Sequence, residues 1–146
     1  MPRIQTEQFG ELDYSEDAAL LFPRGLPGFE TARRFVLLDD PEFAPLVHLQ
    51  SLETENLCFL AMPVRSIDPE YETMLASEDR EALGMQEGEV STLDLALLSA
   101  ARDGSLSANL LAPVVIDLST RRAVQAVRFD TKYSHQHGLG EVPLCS

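Results

Sequence analysis

Leu46-Val47-His48-Leu49-Gln50-Ser51, answered across the polar Glu53-Thr54-Glu55-Asn56 by Leu57-Cys58-Phe59-Leu60-Ala61-Met62-Pro63, is the stretch that decides the fold. Two short apolar runs flanking a polar turn predict a β-hairpin. The pattern recurs on both sides of it. Upstream, Arg33-Arg34-Phe35-Val36-Leu37-Leu38 reads as a buried strand closed by Asp39-Asp40-Pro41, since proline has no N–H to continue a ladder. Ala18 to Phe22 is another apolar run behind an acidic loop, Asp13 to Asp17. Ile4-Gln5-Thr6 with Phe9-Gly10-Glu11-Leu12 reads as a short strand running into a turn. Downstream, Tyr71 to Leu75 reads as a further short strand. Val90 to Leu98 sets Leu93, Leu95 and Leu97 against Thr92, Asp94 and Ala96, the alternation of a half-buried strand. Leu110 to Ile116 is another strand, with Pro113 placing it at an edge or bulge, and Ser119 to Arg122 turns the chain into Ala123 to Phe129. One helix is expected at Ser77 to Gly84, with Ser77 as N-cap, Glu78 and Asp79 at its positive end, and Gly84 closing it. Arg80 at the third helical position excludes a capping box.

Seven or eight short strands with one short helix predict a mostly β protein, a small antiparallel barrel-like or sandwich fold. The 146 residues form one domain, 1–146, large enough for its own core. Phe35, Leu37, Phe59, Leu95, Val114 and Ile116 are the expected core residues.

A second stretch anchors the hairpins. In Leu21-Phe22-Pro23-Arg24-Gly25-Leu26-Pro27-Gly28-Phe29-Glu30, Pro23 and Gly25 suit the second and fourth positions of a type I turn. Pro27-Gly28 is the signature of a type II turn, whose third position needs a positive φ. Phe22, Leu26 and Phe29 are large apolar groups carried on these turns. They read either as a rigid corner plugging the end of a core or as a platform for a partner.

The charge of −13 is uneven: residues 1–90 hold nineteen Asp/Glu against six Lys/Arg, and residues 91–146 hold five of each. Such an acidic half repels phosphate backbones and argues against direct nucleic-acid binding. It suits a basic protein partner, and equally simple solubility. No apolar run approaches the ~20 residues of a membrane span. The N-terminus lacks a signal-peptide core, and Cys58 and Cys145 have no zinc-like spacing, which together suit the cytoplasm.

Catalytic motifs are lacking: there is no GxSxG, HExxH, Walker loop or GxGxxG. His135 and His137 alternate as a metal pair would, with Glu141 and Cys145 following, but no cluster at ligand spacing supports them, and no cofactor is expected. Asp39-Asp40 ahead of Pro41 reads as a solvated turn rather than a carboxylate pair. His48, Gln50 and Asn109 are polar residues beside apolar strands. Hydrogen-bonded structural roles are expected of them, and Asn109 offers its amide to tie down loop backbone.

Five segments, taken in order, resemble the FliW family of flagellar assembly factors. They are Thr6 to Glu11, Phe22 to Glu30, Leu49-Gln50-Ser51, Asp68-Pro69-Glu70-Tyr71-Glu72 and Asn109 to Ile116, and the likeness weakens after Phe129. The resemblance implies a non-enzymatic protein that binds flagellin and the RNA-binding translational repressor CsrA. Export of flagellin would free it to capture CsrA and relieve repression of flagellin synthesis. The partner surface is expected around Phe9, Leu26, Phe29, Gln50, Asp68, Glu70, Tyr71 and Asn109. The competing expectation is a small barrel enzyme or ligand binder with an interior pocket, for which His48, Gln50 and Asn109 are the candidate lining.

Overall fold

The structure, a computed structural model, describes residues 2–6, 9–39, 41–85, 91–130 and 132–140. Glu7, Gln8, Asp40, Val90, Glu141 and Cys145 lie outside the described residues. In chain order the elements are β1 (Arg3–Thr6), β2 (Gly10–Asp13), β3 (Leu20–Leu21), β4 (Arg34–Asp39), β5 (Val47–Ser51) and β6 (Cys58–Pro63). Then come α1 (Val64–Ile67), α2 (Ser77–Leu83), β7 (Thr92–Ala100), β8 (Leu106–Ala108), β9 (Val114–Asp117), β10 (Arg122–Gln125) and β11 (His137–Gly140).

The hairpin read first in the sequence is β5–β6, paired antiparallel from Val47 opposite Ala61 to Gln50 opposite Cys58. From it the sheet runs through β4 and β3 on one side and β6 and β7 on the other. It closes because β10 pairs with both β3 and β9, and β9 returns to β7. The result is a seven-stranded barrel, antiparallel except at the β3–β10 seam, where Arg122 lies beside Leu21 in the one parallel pairing among the described strands. β8 and β11 extend the sheet beyond the far half of β7, and the β1–β2 hairpin forms a separate two-stranded sheet.

Apolar side chains fill the barrel: Phe22, Phe35, Leu49, Leu95, Val114 and Ile116 are fully buried together with Leu20 and Leu26. Leu37 and Phe59, expected in the core, pack against it only partly buried. Phe59 lies at the barrel's end, under the edge-on ring of Phe29 at 5.5 Å.

The outer face of β7 departs from expectation. Asp94 and Ala96 are as buried as Leu95, because the chain from Val64 to Leu75 lies across them. Arg65 Nη1 donates to Asp94 Oδ2 at 2.9 Å, and the Thr73 hydroxyl donates to the same oxygen. Ala96 joins Val64, Tyr71, Ala108 and Leu110 in a second core. This cover replaces two expectations: Val64–Ile67 is an extra short helix, and Tyr71 to Leu75 forms no strand. Three further segments differ. Gly10–Asp13 is a strand, Leu106–Ala108 is a strand not foreseen, and Leu110 to Pro113 is irregular before β9 begins. The α2 N-cap is Ala76, one residue earlier than expected. Asp79 thereby becomes the third helical residue, and its carboxylate accepts the Ala76 N–H at 2.9 Å, half of a capping box. Gly84 closes α2 at φ 69°, and α2 covers Val115, Val124 and Ala126 through Leu83.

The corner at residues 22–30 is built as its sequence reads. Gly25 N donates to Phe22 O at 2.9 Å, and Phe29 N donates to Leu26 O at 2.7 Å with Gly28 at φ 85°. Gly25 carries a second constraint: at φ 64°, a Cβ there would stand 2.6 Å from Glu30 Cα. Gly25→Ala should therefore lower stability by roughly 2 kcal/mol or more in thermal unfolding, adding a backbone clash to left-handed strain. Gly28→Ala, whose Cβ would meet open space, should cost only about 1 kcal/mol. Equal losses would mean that the close approach to Glu30 does not hold the corner. In the core, Phe35→Ala should cost on the order of 3–5 kcal/mol in denaturant unfolding, and the half-buried Phe59→Ala distinctly less.

Candidate functional site

The corner does more than plug the barrel. Between it and the end of β10 lies a groove with two lobes that share Pro27, Gln125 and Val127. The first lobe, about 410 Å³, is the more polar of the two and is bounded by Arg24, Gly25, Glu30, Ala76 and Asp79. Arg24 Nη2 meets Asp79 Oδ1 at 2.6 Å, so its charge is compensated, whereas among the described residues the Glu30 carboxylate accepts only the Gly28 N–H at 2.7 Å. The second lobe, about 320 Å³, is the barrel mouth, lined by Leu26, Phe29, Phe59, Leu97 and Ala112. Phe29 and Val127 stand exposed on its rim.

A second cluster sits behind the groove. Arg128 is buried between the rings of Tyr71 and Tyr133, its guanidinium carbon 4.9 and 4.8 Å from their centroids. It pairs through two parallel bonds of 2.9 Å with Asp130 and donates to Glu72 O. The Tyr71 hydroxyl donates to Leu110 O at 2.6 Å, and the Tyr133 hydroxyl donates to Asp68 Oδ2. That bond holds the Asp68 carboxyl below its usual range and pushes the Tyr133 hydroxyl up to about 12. Pairing with Asp130 raises Arg128 further, so the guanidinium is charged at every physiological pH. The cluster ties the turn at 68–72 to the chain after β10.

The residues singled out from the sequence fall into three places. Leu26 and Phe29 meet at the groove, Leu26 from beneath and Phe29 on the rim. Asp68, Glu70, Tyr71 and Asn109 lie around the arginine cluster: Glu70 is exposed and Tyr71 buried, and Asn109 Oδ1 accepts the Ala112 N–H at 3.0 Å, a loop-fastening role. Phe9 and Gln50 stand apart from both. Phe9 packs edge-on against His48 at 5.0 Å, docking the β1–β2 hairpin on β5, and burial pulls the His48 pKa down. Gln50 is fully buried and its amide nitrogen donates to Ser51 O at 3.0 Å. Leu26, Gln50 and Tyr71 thus shape a surface from below.

The barrel interior is filled by apolar side chains, with His48 and Gln50 on the face of β5 opposite Leu49 and Asn109 engaged in its own turn. That arrangement counts against the interior-pocket reading. Among the described residues no group of three or more His, Cys, Asp or Glu is placed to hold a metal ion.

Gln125, Val127, Arg128, Phe129 and Tyr133 were not singled out from the sequence. A signal was present in Ala126-Val127-Arg128-Phe129, where strand alternation buries Ala126 and Arg128 and turns Val127 and Phe129 out to 58 % and 63 % exposure.

The comparisons with known proteins agree with this architecture. The family model described as FliW protein matches residues 3–139. The flagellar assembly factor FliW of Bacillus subtilis is 34% identical over 140 residues, covering 94% of this chain and 96% of that protein. The factor of the same name from Heliobacterium modesticaldum is 34% identical over 137 residues, covering 94% and 90%. A crystal structure of the flagellar assembly factor FliW matches with a TM-score of 0.84 and 31% identity, covering 94% of this chain and 96% of that one. With its barrel, its corner and nearly its whole length matched, this chain belongs to the FliW family.

Proposed function

We propose that this chain is a non-enzymatic flagellar assembly factor that switches between two protein partners, flagellin and the translational repressor CsrA. Bound to flagellin, it leaves CsrA free to repress flagellin synthesis; released by flagellin export, it captures CsrA and lifts that repression. The observation that carries this reading is the family match over residues 3–139 to relatives named as flagellar assembly factors. The charge of −13 supports it, since an acidic surface favours a basic RNA-binding partner and disfavours RNA itself. Co-purification from a flagellated cell's cytoplasm tests it. Flagellin and a CsrA-family protein should each be recovered with the chain, and added flagellin should displace CsrA. Recovery of neither would end the reading.

The part played by the acidic surface can be measured separately. Asp68 is a poor choice for charge reversal, because it accepts the Tyr133 hydroxyl. Glu70 and Glu72 are exposed, and Glu70→Lys with Glu72→Lys spares both tyrosine hydrogen bonds. Steering is screened over ~8 Å at physiological salt. The double variant should therefore associate more slowly with a CsrA-family protein at low salt, show a weaker salt dependence and keep its melting temperature. Unchanged on-rates would make these acids a solvated face only.

A further inference from the structure

The β9–β10 ladder does not stop at Gln125. Its register sets Gln125 opposite Val114, and in the same register Ala126 N donates to Pro113 O and Arg128 N donates to Leu111 O, both at 2.9 Å. Residues of one parity in a strand direct their N–H and C=O to one edge, so Gln125 and Val127 direct theirs to the other. That edge is occupied only at its start: Leu21 N donates to Arg121 O, and the chain then leaves the sheet as Phe22 N turns to Arg33 O. Beyond that point the main-chain groups of Gln125 and Val127 have no partner among the described residues. They border the groove whose opposite wall is the 24–30 corner.

We propose that this free edge takes an extended segment of a protein partner as an added strand, laid between Gln125–Phe129 and the corner. The chemistry of the groove describes the segment. Main-chain bonding to Gln125 and Val127 supplies affinity that does not depend on sequence. The apolar mouth around Phe29 and Phe59 and the exposed Val127 call for apolar residues at alternate positions. Glu30, whose carboxylate has no cationic partner among the described residues, calls for a lysine or arginine between them. The inference rests on the reading of this chain as a protein-binding factor and specifies how one segment is held.

The probe is an eight-residue acetylated and amidated peptide of alternating valine and lysine, added to the 15N-labelled protein up to about 1 mM. Exchange of the Gln125 and Val127 amides should slow by roughly tenfold, what one main-chain hydrogen bond gives. The same peptide N-methylated at alternate residues along its bonding edge should protect neither. Val127→Pro removes an N–H that holds nothing in the free protein; it should keep the melting temperature and abolish protection at Gln125. An alternating glutamate–valine peptide should bind at least about tenfold more weakly. Absence of binding, binding without protection of these two amides, or undiminished binding by Val127→Pro would overturn the proposal. So would concentration-dependent protection without peptide, which would assign the edge to a second copy of this chain. Because the probe is neither flagellin nor CsrA, failure here leaves partner switching standing, and failure of co-purification leaves the edge standing.

Discussion

β7 is the strand on which everything else depends, because it is shared. Its first residues, Thr92 to Leu95, pair with β9, its middle with β6, and Leu98 to Ala100 with β8. One strand thus closes the barrel and also begins the sheet that leaves it. Sharing requires both faces to be covered. Leu95 faces the barrel core, while Asp94 and Ala96 lie beneath α1 and the chain running to Thr73. A carboxylate in that position is tolerable only because Arg65 and Thr73 reach it. The cover is therefore fastened by the buried charge it hides.

The second organising element is the corner. Its two turns bring two prolines, two glycines in the left-handed region and the backbone of Glu30 into close packing. This rigidity lets one short segment do two jobs: Phe22 and Leu26 are buried inside, and Phe29 remains on the rim. The arginine cluster mirrors it on the other side of the groove. Arg128, held between two tyrosine rings, fixes the strand whose neighbours Val127 and Phe129 face outward. A polar residue turned in and apolar residues turned out make a surface suited to protein contact.

What was legible in the sequence follows from the range of the physics. The β5–β6 hairpin, the 22–30 turns and the glycine that closes α2 are local, and residues a few positions apart specify them. Missed features required partners far along the chain. The outer face of β7 reads as polar until Arg65 arrives from 29 residues away. Val64–Ile67 is too short for periodicity to reveal. The groove went unread for the same reason, since its walls are a corner near residue 25 and a strand end near residue 127. The alternation of Val127 and Phe129 was visible, but its inverted polarity acquires meaning only once the core side of β10 is known.

The β3–β10 seam has a consequence in time. Arg121 reaches Ala18 O across 103 residues, and Leu21 pairs beside Arg122. The hairpins between them need only neighbours already in place, so most of the sheet, β3 against β4 included, can form while the other edge of Leu20 and Leu21 stands open. Closing so long a loop carries an entropic cost that grows with the logarithm of its length, and the single parallel pairing at the seam offers little to offset it early. Closure therefore belongs late in folding, after β9 and β10 have assembled. Until then Leu20, buried in the finished protein, remains an uncovered apolar end on an otherwise formed sheet, the feature that folding helpers and aggregation both recognise.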